Sequence, residues 1–308
     1  ADLERLLKEA GYLMGSFKLD GCRTVIINSK AISRKALPYE NPFVQKWAKE
    51  NEAALMGLDG ELVVGEPCAQ FEGDDVFNRT AGPIGKEAGE PDFTFYAFEV
   101  HDAGKMAAEE RYTHLKNLIE YAKPPRVKIV EQVKLHTVAE IKQYAAYAGQ
   151  LGYEGIMLKH PKKPYKNGRS TLLEGILMKV KDWVDSEAVI LGVKQGTTNT
   201  NEQKRDELGH AKRSSAKAGK VPTDTIGSWM VRDLYSGIEF NCPPGPFTEE
   251  QLKKLWAEHN SPGGSHVGLI LTYKYQRVGT LRKPRFPGAL RFRPKFDIDI
   301  TKVHADLR

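Results

Sequence analysis

The chain is poor in cysteine and has no long apolar run and no internal repeat. Cysteine occurs only three times in 308 residues, at Cys22, Cys68 and Cys242. This odd number and wide spacing exclude a disulfide framework and a zinc site, and they fit a reducing, intracellular setting. Because no run of about 18 apolar residues exists, no membrane span is expected. The N-terminal sequence ADLERLLKEAGYLMG lacks the apolar core of a secretory signal.

An excess of positive charge is absent from the first part of the chain and present in the second. Residues 1–183 contain 26 Lys+Arg and 26 Asp+Glu, whereas residues 184–308 contain 20 and 14, so the whole net charge of +6 lies in the last 125 residues. A hydrophobic content of 40% excludes a disordered chain, and the length suggests about two domains. The charge excess suggests a polyanionic partner, although a basic surface without a partner explains it equally well.

The pattern of the first part predicts a mixture of helices and strands. Asp20–Gly21 is a typical turn pair, so the segments on either side of it are predicted to form a hairpin. Asn41 followed by Pro42 predicts the start of a helix that runs to about Met56, and residues 72–92 are predicted to be a polar connection. The remaining predicted elements are a short helix ending at Gly11, helices at 107–122 and 138–149, and strands at 58–65, 93–101, 155–160 and 175–182.

The second part is predicted to be mostly strands. Segments 187–195, 227–234, 237–241, 267–276 and 288–294, with one helix at about 248–259, are typical of a small β-barrel. Residues 196–225 interrupt it and contain almost no core-forming side chains. Composition alone favours a disordered insertion there. The alternative is a protruding basic loop, because residues 210–220 carry four Lys/Arg and no acid.

Several short motifs carry residues suited to phosphate chemistry. Lys18 to Arg23 reads KLDGCR, which places a lysine and an arginine on either side of a turn. Downstream lie a carboxylate in LDGEL, an aromatic-rich strand, a second carboxylate beside a glycine in YEGIMLK, and two clusters of cations. These later motifs span residues 58–62, 93–100, 153–159, 166–169 and 177–181.

This ordered set resembles the motifs of the covalent nucleotidyltransferase superfamily of ligases and capping enzymes. Within it the sequence is most similar to the small viral ATP-dependent DNA ligases such as the chlorella virus enzyme, from Gly11 to Pro294. The resemblance implies an α+β fold. An adenylation (nucleotidyltransferase, ATP-grasp-like) domain would occupy residues 1–183. A β-barrel OB-fold domain would occupy residues 184–308, with a DNA latch inserted at about 196–225.

For catalysis, the resemblance implies that Lys18 is the nucleophile that attacks the α-phosphate of ATP to form lysyl-AMP. An amine attacks only when neutral, so its pKa must lie below the ordinary value of about 10.4. Nearby cations would lower it. Lys179 and Lys181, two residues apart on one strand face, would contact the α-phosphate. Arg23 would bind phosphate oxygens with its planar fork.

The two carboxylates and the aromatic strand would complete the nucleotide site. Glu154 would help to hold Mg²⁺ or Mn²⁺, and Glu61 would meet the AMP ribose and join a metal later. Tyr96 and Phe98 lie on one face of their strand, and one of them, with Phe98 preferred, would stack on adenine.

The remaining cations would bind ATP phosphates or DNA. Arg34 and Arg169 match arginines that grip phosphates, including the 5′-phosphate at a nick. Arg285 and Arg293 resemble the last family motif, which orients pyrophosphate. The expected acid after Arg293 is replaced by Pro294-Lys295, with Asp297 further on, so individual roles there stay open. DNA contacts would also come from Lys212, Arg213, Lys217, Lys220, Arg282 and Lys283.

The resulting expectation is a monomeric, ATP-dependent and Mg²⁺-dependent ligase that seals 3′-hydroxyl/5′-phosphate nicks in duplex DNA. It would work inside a host cell, in the cytoplasm or nucleus, and a viral origin fits. The alternatives are an RNA-end enzyme of the same superfamily, either a capping guanylyltransferase or an RNA ligase, and a non-catalytic duplex-DNA clamp.

Overall fold

The structure is a computed structural model that describes residues 2–71, 73–276 and 283–305. The chain divides into two compact units, Ala1–Asp182 and Trp183–Arg308. Across the described residues, no helix is both long and apolar enough to cross a bilayer.

The first unit contains nine strands and six helices among its described residues. The helices are α1 (Asp2–Ala10), α2 (Pro42–Glu50), α3 (Glu52–Leu55), α4 (Val76–Ile84), α5 (Ala108–Ala122) and α6 (Val138–Gln150). The strands are β1 (Leu13–Phe17), β2 (Cys22–Ile27), β3 (Lys30–Ser33), β4 (Leu58–Val64), β5 (Phe93–Val100), β6 (Val127–Ile129), β7 (Val133–Leu135), β8 (Gly155–Lys159) and β9 (Leu177–Lys181).

These strands form two sheets, each with its own apolar core. One is antiparallel with the order β7-β1-β8-β9, and its core packs α1 and α6 around Leu6, Leu13 and Ile156. The other has the order β3-β2-β4-β5-β6, with only the β5/β6 pair parallel, and its core packs α2, α3 and α5 around Trp47 and Phe95.

The predicted hairpin around Asp20–Gly21 is wrong. β1 and β2 lie in different sheets, so the chain crosses from one sheet to the other between Phe17 and Cys22. Gly21 is needed for close approach and not for a tight turn: a Cβ on it would lie 2.3 Å from the carbonyl oxygen of Leu62 in β4. The crossing segment is therefore pressed against β4, and Lys18 lies where the two sheets meet.

Two helical predictions also differ from the structure. The helix begun by Asn41 and Pro42 starts as expected, with the Asn41 side chain accepting from Phe43 N and Val44 N, but it ends at Glu50 and a separate turn of helix follows. Residues 72–92 contain α4, which was expected to be a connection. Asp75 caps α4 by accepting from Asn78 N, a signal that is present in the sequence.

The second unit is dominated by one antiparallel sheet, whose described strands have the order β14-β13-β10-β15-β16. Its elements are β10 (Trp183–Asn199), β11 (Gln203–Arg205), β12 (Ala211–Arg213), β13 (Lys220–Asp233), β14 (Glu239–Cys242), α7 (Glu249–Asn260), β15 (Ile270–Gln276) and β16 (Arg285–Arg293), with single 3₁₀ turns at Lys217–Gly219, Lys295–Asp297 and Ile300–Lys302.

Within the described residues this sheet is curved, but its strands do not form a closed ladder. A backbone hydrogen bond from Ala289 N in β16 to Pro243 O, just after β14, joins its two edges at 2.9 Å. Its core surrounds Trp229, Leu271 and Tyr273. α7 begins with Thr248, which accepts from Gln251 N while the Gln251 side chain accepts from Thr248 N.

Residues 196–225 form a hairpin and not an irregular loop. β10 and β13 extend as its two arms, with Asn199 opposite Lys220, and β11 and β12 pair as a small sheet beyond them. Two asparagines hold its base. The Asn201 side-chain nitrogen donates to Asn199 Oδ1 (2.8 Å), Ser214 O (3.1 Å) and Ala216 O (2.9 Å), and Asn199 Nδ2 donates to Ser214 O (2.8 Å).

Candidate active site

The β1/β8 ladder brings the predicted nucleophile to the predicted metal-binding carboxylate. Phe17 lies opposite Ile156, and one step further the Lys18 nitrogen donates to Gly155 O at 2.9 Å. Gly155 has φ of +144° and lies so close to β9 that a Cβ would be 2.1 Å from Val180 O. The glycine therefore allows three strands to converge beside Lys18.

Glu154 is the centre of a charged cluster. Its two carboxylate oxygens accept from the ammonium groups of Lys18 and Lys181. The Glu154 side chain is 3% exposed, whereas Lys18 is 22% exposed and can be reached by a ligand. Burial opposes ionisation of Glu154, but the two lysines outweigh it and hold its pKa below the ordinary value. The site therefore keeps a buried carboxylate charged.

Lys179 and Arg169 add positive charge to this cluster without direct contacts. Lys179 is exposed, two residues before Lys181 on the same face of β9, as the sequence predicts. The pKa of Lys179 is lowered by loss of water around its ammonium group and then by repulsion from Lys181 and Lys18, and Arg169 acts in the same direction. Lys179 and Arg169 make no hydrogen bond with the described residues. Both can therefore bind an anion.

Arg23 lies on the second sheet and is held by residues that the sequence reasoning did not assign. Asp59 Oδ1 accepts from Arg23 Nε (3.0 Å) and Asp59 Oδ2 from Nη2 (2.7 Å). Tyr165 OH accepts from the same Nη2 (3.0 Å) and donates to Asp59 Oδ2 (2.9 Å). Asp59 is 1% exposed, and its hydrogen bond raises the pKa of Arg23 further. One face of the Arg23 fork is thus occupied, and Nη1 is left for a ligand.

Glu61 lies opposite Arg23 in the β2/β4 ladder and opposite Tyr96 in the β4/β5 ladder. Its carboxylate makes no hydrogen bond with the described part of the chain. Burial raises its pKa to about 8, and Lys18 opposes this increase. Lys18 therefore lies within electrostatic range of both Glu61 and Glu154.

The aromatic pair lies beside the nucleophile segment. Tyr96 and Phe98 are half-buried and pack in a small cluster with Leu19 and Val63, whereas Phe95, on the other face of β5, is buried in the main core. The pair is therefore placed on the side of the sheet that carries Glu61.

A buried ion network, also missed at the sequence level, joins the two sheets under this site. Glu99 accepts from Arg111 Nε (2.9 Å) and Nη2 (3.0 Å), and from Lys159 Nζ (2.6 Å). Lys159 belongs to β8, and Glu99 follows Phe98 in β5. Although burial opposes it, Lys159 and Arg111 lower the pKa of Glu99. A signal existed in the sequence, because an acid within an otherwise apolar, aromatic strand requires a cation.

The carboxylates near Lys18 suit a divalent metal that is bound together with phosphates. Within residues 2–71, 73–276 and 283–305, no group of three or more His, Cys, Asp or Glu is arranged to hold a metal ion. Glu61 offers an unpaired carboxylate, and each Glu154 oxygen can accept a further contact beyond its lysine. Two carboxylates fit Mg²⁺, which takes its remaining ligands from phosphates and water, and they do not fit a resident all-protein site.

The predicted DNA-binding residues are distributed over both units. Arg34 is exposed just after β3. Lys283 is exposed as well. Four cations of the hairpin are also exposed: Lys212, Arg213, Lys217 and Lys220. Arg282 lies outside the described residues.

The final-motif arginines of the second unit are engaged locally. The Arg285 guanidinium lies 5.0 Å from the ring centre of Phe286. Arg293 pairs with Glu187, and its Nη2 donates to Asp297 O at 3.1 Å. These contacts raise the pKa of Arg293, with the Glu187 hydrogen bond as the main cause. Asp297, displaced along the sequence, therefore still lies beside Arg293.

A lysine at the crossing of two sheets, facing buried glutamate and strand cations, defines the covalent nucleotidyltransferase class. The family model for the ATP dependent DNA ligase domain matches residues 2–181, more than half of the chain. The chain therefore belongs to the ATP-dependent DNA ligase family, and the resemblance inferred from the motifs is confirmed.

The chain is also similar to individual relatives and solved structures. A curated probable DNA ligase of Kineococcus radiotolerans is 26% identical over 294 residues, covering 88% of this chain, and this chain spans 56% of that relative's length. A solved structure from work on DNA binding with a minimal scaffold in Lig E DNA ligases is 27% identical and covers 92% of this chain and 93% of that one, with a TM-score of 0.67. A chlorella virus DNA ligase-adenylate is 26% identical, with 92% coverage of each chain and a TM-score of 0.47.

Proposed function

We propose that the chain is an ATP-dependent DNA ligase that seals 3′-hydroxyl/5′-phosphate nicks in duplex DNA. The observation that carries the proposal is the contact of Lys18, in the first family motif, with Glu154, which also binds Lys181. An accessible lysine beside a buried acid and two further cations suits covalent capture of a nucleotide.

The reaction would proceed in three transfers, in each of which one bond to phosphorus forms and another breaks. Lys18 Nζ forms a bond to the α-phosphorus of ATP while the bond to pyrophosphate breaks. The 5′-phosphate of the nick then takes AMP from Lys18, which regenerates the free amine. Finally the 3′-hydroxyl attacks the 5′-phosphorus and AMP leaves. Lys18 must lose a proton before the first attack, and Glu154 is its hydrogen-bond partner.

The cations around Lys18 would stabilise negative charge on the phosphate during these transfers. Lys179 and Lys181 lie two residues apart on one face of β9, and Arg169 is close enough to affect the pKa of Lys179. Fixed positive groups of this kind cost little reorganisation when charge develops in the transition state. Arg23 would contribute through Nη1, because Asp59 and Tyr165 occupy its other edge.

Nucleotide recognition would involve Glu61 and the aromatic pair. Glu61 has an unpaired carboxylate suited to a ribose hydroxyl or a metal. Phe98 is the preferred adenine-stacking residue, with Tyr96 as its neighbour on the same face. Glu61 and Glu154 would hold Mg²⁺ or Mn²⁺, which would neutralise phosphate charge when bound.

Duplex binding would involve both units. The adenylation role is proposed for residues 1–183, and an OB-fold role for residues 184–308, in which the joined edges of the curved sheet support a barrel. The basic hairpin at 196–225 would act as a latch on the DNA backbone, helped by Arg34, Arg282 and Lys283. The proposal also includes action as a monomer inside a cell.

The decisive experiment is adenylylation followed by sealing. Wild-type protein incubated with labelled ATP and Mg²⁺ should become labelled and should then seal a nicked duplex, whereas Lys18→Ala and Lys18→Arg should do neither. Labelling by GTP alone would instead identify an RNA-capping enzyme, and preference for nicked RNA an RNA ligase. Binding of nicked duplex without labelling would identify a non-catalytic clamp.

A further inference from the structure

The Tyr165 hydroxyl closes a triangle with the Arg23 guanidinium and the Asp59 carboxylate. Arg23 Nη2 donates to the hydroxyl at 3.0 Å, the hydroxyl donates to Asp59 Oδ2 at 2.9 Å, and Nη2 donates to the same Oδ2 at 2.7 Å. We propose that Tyr165 is a positioning residue that fixes the orientation of Arg23 for adenylylation of Lys18. The proposal rests on the ligase function proposed above.

Arg23 and Asp59 need a third group because the two members of this ion pair differ greatly in solvent exposure. The Asp59 side chain is 1% exposed and the Arg23 side chain 39%. A buried carboxylate requires its acceptor sites to be filled, and the half-exposed arginine has a long flexible stem that can turn toward water. The hydroxyl supplies another donor to Asp59 and an acceptor to Nη2. It thereby fixes the plane of the guanidinium and leaves Nη1 free of partners among the described residues.

The hydroxyl is itself held by an anchored segment. Tyr165 belongs to the connection between β8 and β9, residues 160–176, whose first part is fixed from α5. Arg111 Nη1 donates to Lys163 O at 3.1 Å, and Glu109 N donates to Pro161 O at 3.0 Å. The connection belongs to one sheet, and Arg23 and Asp59 belong to the other. Tyr165 therefore crosses between the sheets to reach Arg23, four residues before Arg169.

A double-mutant cycle separates positioning from simple structural support. If Tyr165 acts through Arg23, removing its hydroxyl has no further effect once the planar fork is gone, whereas independent structural losses add. The four proteins are wild type, Tyr165→Phe, Arg23→Lys and the double variant. The measured quantities are the single-turnover rate of lysyl-AMP formation at saturating ATP and the ATP concentration that gives half of that rate, both with Mg²⁺.

We expect Tyr165→Phe to slow the saturated rate about tenfold, which corresponds to roughly 1.4 kcal/mol, with a smaller change in the half-saturating ATP concentration. In the Arg23→Lys background the same substitution should change nothing further. Tyr39→Phe is the matched control, because the Tyr39 hydroxyl donates to the backbone oxygen of Arg23 at 2.9 Å and does not touch the guanidinium. This control should keep the wild-type rate.

Additive losses in the cycle, or a wild-type rate for Tyr165→Phe, would overturn the proposal. Thermal unfolding of each variant verifies that it is folded. If Tyr165→Phe is destabilised, Asp59→Asn provides a second test. Asp59→Asn should slow lysyl-AMP formation to a similar extent, and adding Tyr165→Phe to it should not slow the reaction further. Wild-type protein that forms no lysyl-AMP would refute the ligase function itself, a result distinct from any outcome of the cycle.

Discussion

The main-chain nitrogen of Lys18 donates to the carbonyl oxygen of Gly155 at 2.9 Å, so a backbone hydrogen bond one step beyond the β1/β8 ladder joins the nucleophile to the Glu154-Gly155 pair. Backbone hydrogen bonding, and not side-chain contact alone, fixes the distance between Lys18 and the carboxylate. The position of Lys18 is therefore fixed by the β7-β1-β8-β9 sheet.

Gly155→Ala is expected to damage both stability and adenylylation. The new methyl group would lie 2.1 Å from Val180 O at a φ of +144°, so β8 and β9 must separate. We expect a loss of about 2–4 kcal/mol in the free energy of unfolding, measured with urea, and at least about tenfold slower labelling of Lys18. Gly82→Ala in α4, where a Cβ meets nothing within 4 Å, is the control and should be neutral or stabilising. An unchanged Gly155→Ala protein would contradict the packing argument.

Glu99→Gln is expected to change how stability depends on pH. Lys159 and Arg111 depress the pKa of Glu99 in the folded state, so its stabilisation is complete above the unfolded value near 4.5 and is lost as pH falls through the folded value. The free energy of unfolding of wild type should therefore exceed that of the variant by about 3–5 kcal/mol at pH 7, and this difference should become smaller below about pH 4.5. Urea unfolding at several pH values measures this. Glu120→Gln, at an exposed position, should have the same free energy of unfolding as wild type. If the difference for Glu99→Gln did not depend on pH, ionised Glu99 would not be the source of the stabilisation.

Neutralising the hairpin should reduce the salt dependence of DNA binding. Lys212, Lys217 and Lys220 are exposed cations, and each phosphate contact contributes about 0.9 to the slope of log affinity against log salt. The triple change to Gln should lower the slope by roughly 2–3 and leave Lys18 labelling intact. Fluorescence anisotropy with a nicked duplex measures it.

A matched control for the hairpin variant removes the same charge elsewhere. Lys46, Lys253 and Lys254 each pair with a glutamate four residues away. Their triple change to Gln should leave the salt slope close to that of wild type. Equal slopes for the two triple variants would show that the hairpin does not contact DNA phosphates.

Asn201→Ala should loosen the hairpin without affecting the chemistry at Lys18. It removes the donor to Asn199 Oδ1, Ser214 O and Ala216 O. Trypsin should then cleave at residues 204–213 at least about tenfold faster, because local opening exposes the backbone. Asn241→Ala, at an exposed position in β14, is the control. Cleavage at the wild-type rate would show that the asparagine does not hold the hairpin.

The sequence was informative where local chemistry repeats along the chain. The strand alternation of LMKVK predicted that Lys179 and Lys181 share a face, and FTFYAFEV predicted the same for Tyr96 and Phe98; the structure agrees with both. Most helices and strands of the first unit were also placed within a few residues. These features depend on the period of a strand or helix, which a single segment determines.

The sequence was uninformative where a contact joins distant segments. Asp20–Gly21 has the composition of a hairpin turn, yet the chain crosses between sheets there, because Gly21 must approach Leu62 O. Tyr165 is 142 residues from Arg23, and Lys159 is 60 residues from Glu99. In each of these pairs, the local sequence around one residue does not identify the other residue as its partner.

The sequence by itself determined the class of chemistry: an ordered set of lysines, glutamates and arginines that places the chain among ATP-dependent DNA ligases. Tertiary structure alone decided that Lys18 lies at a crossing between two sheets and that Asp59 and Tyr165 hold Arg23. It also decided that residues 196–225 form an ordered hairpin. The physical reason is that motifs specify reactive groups, whereas the orientation and charge state of those groups depend on burial and on hydrogen bonds from strands far away in the chain.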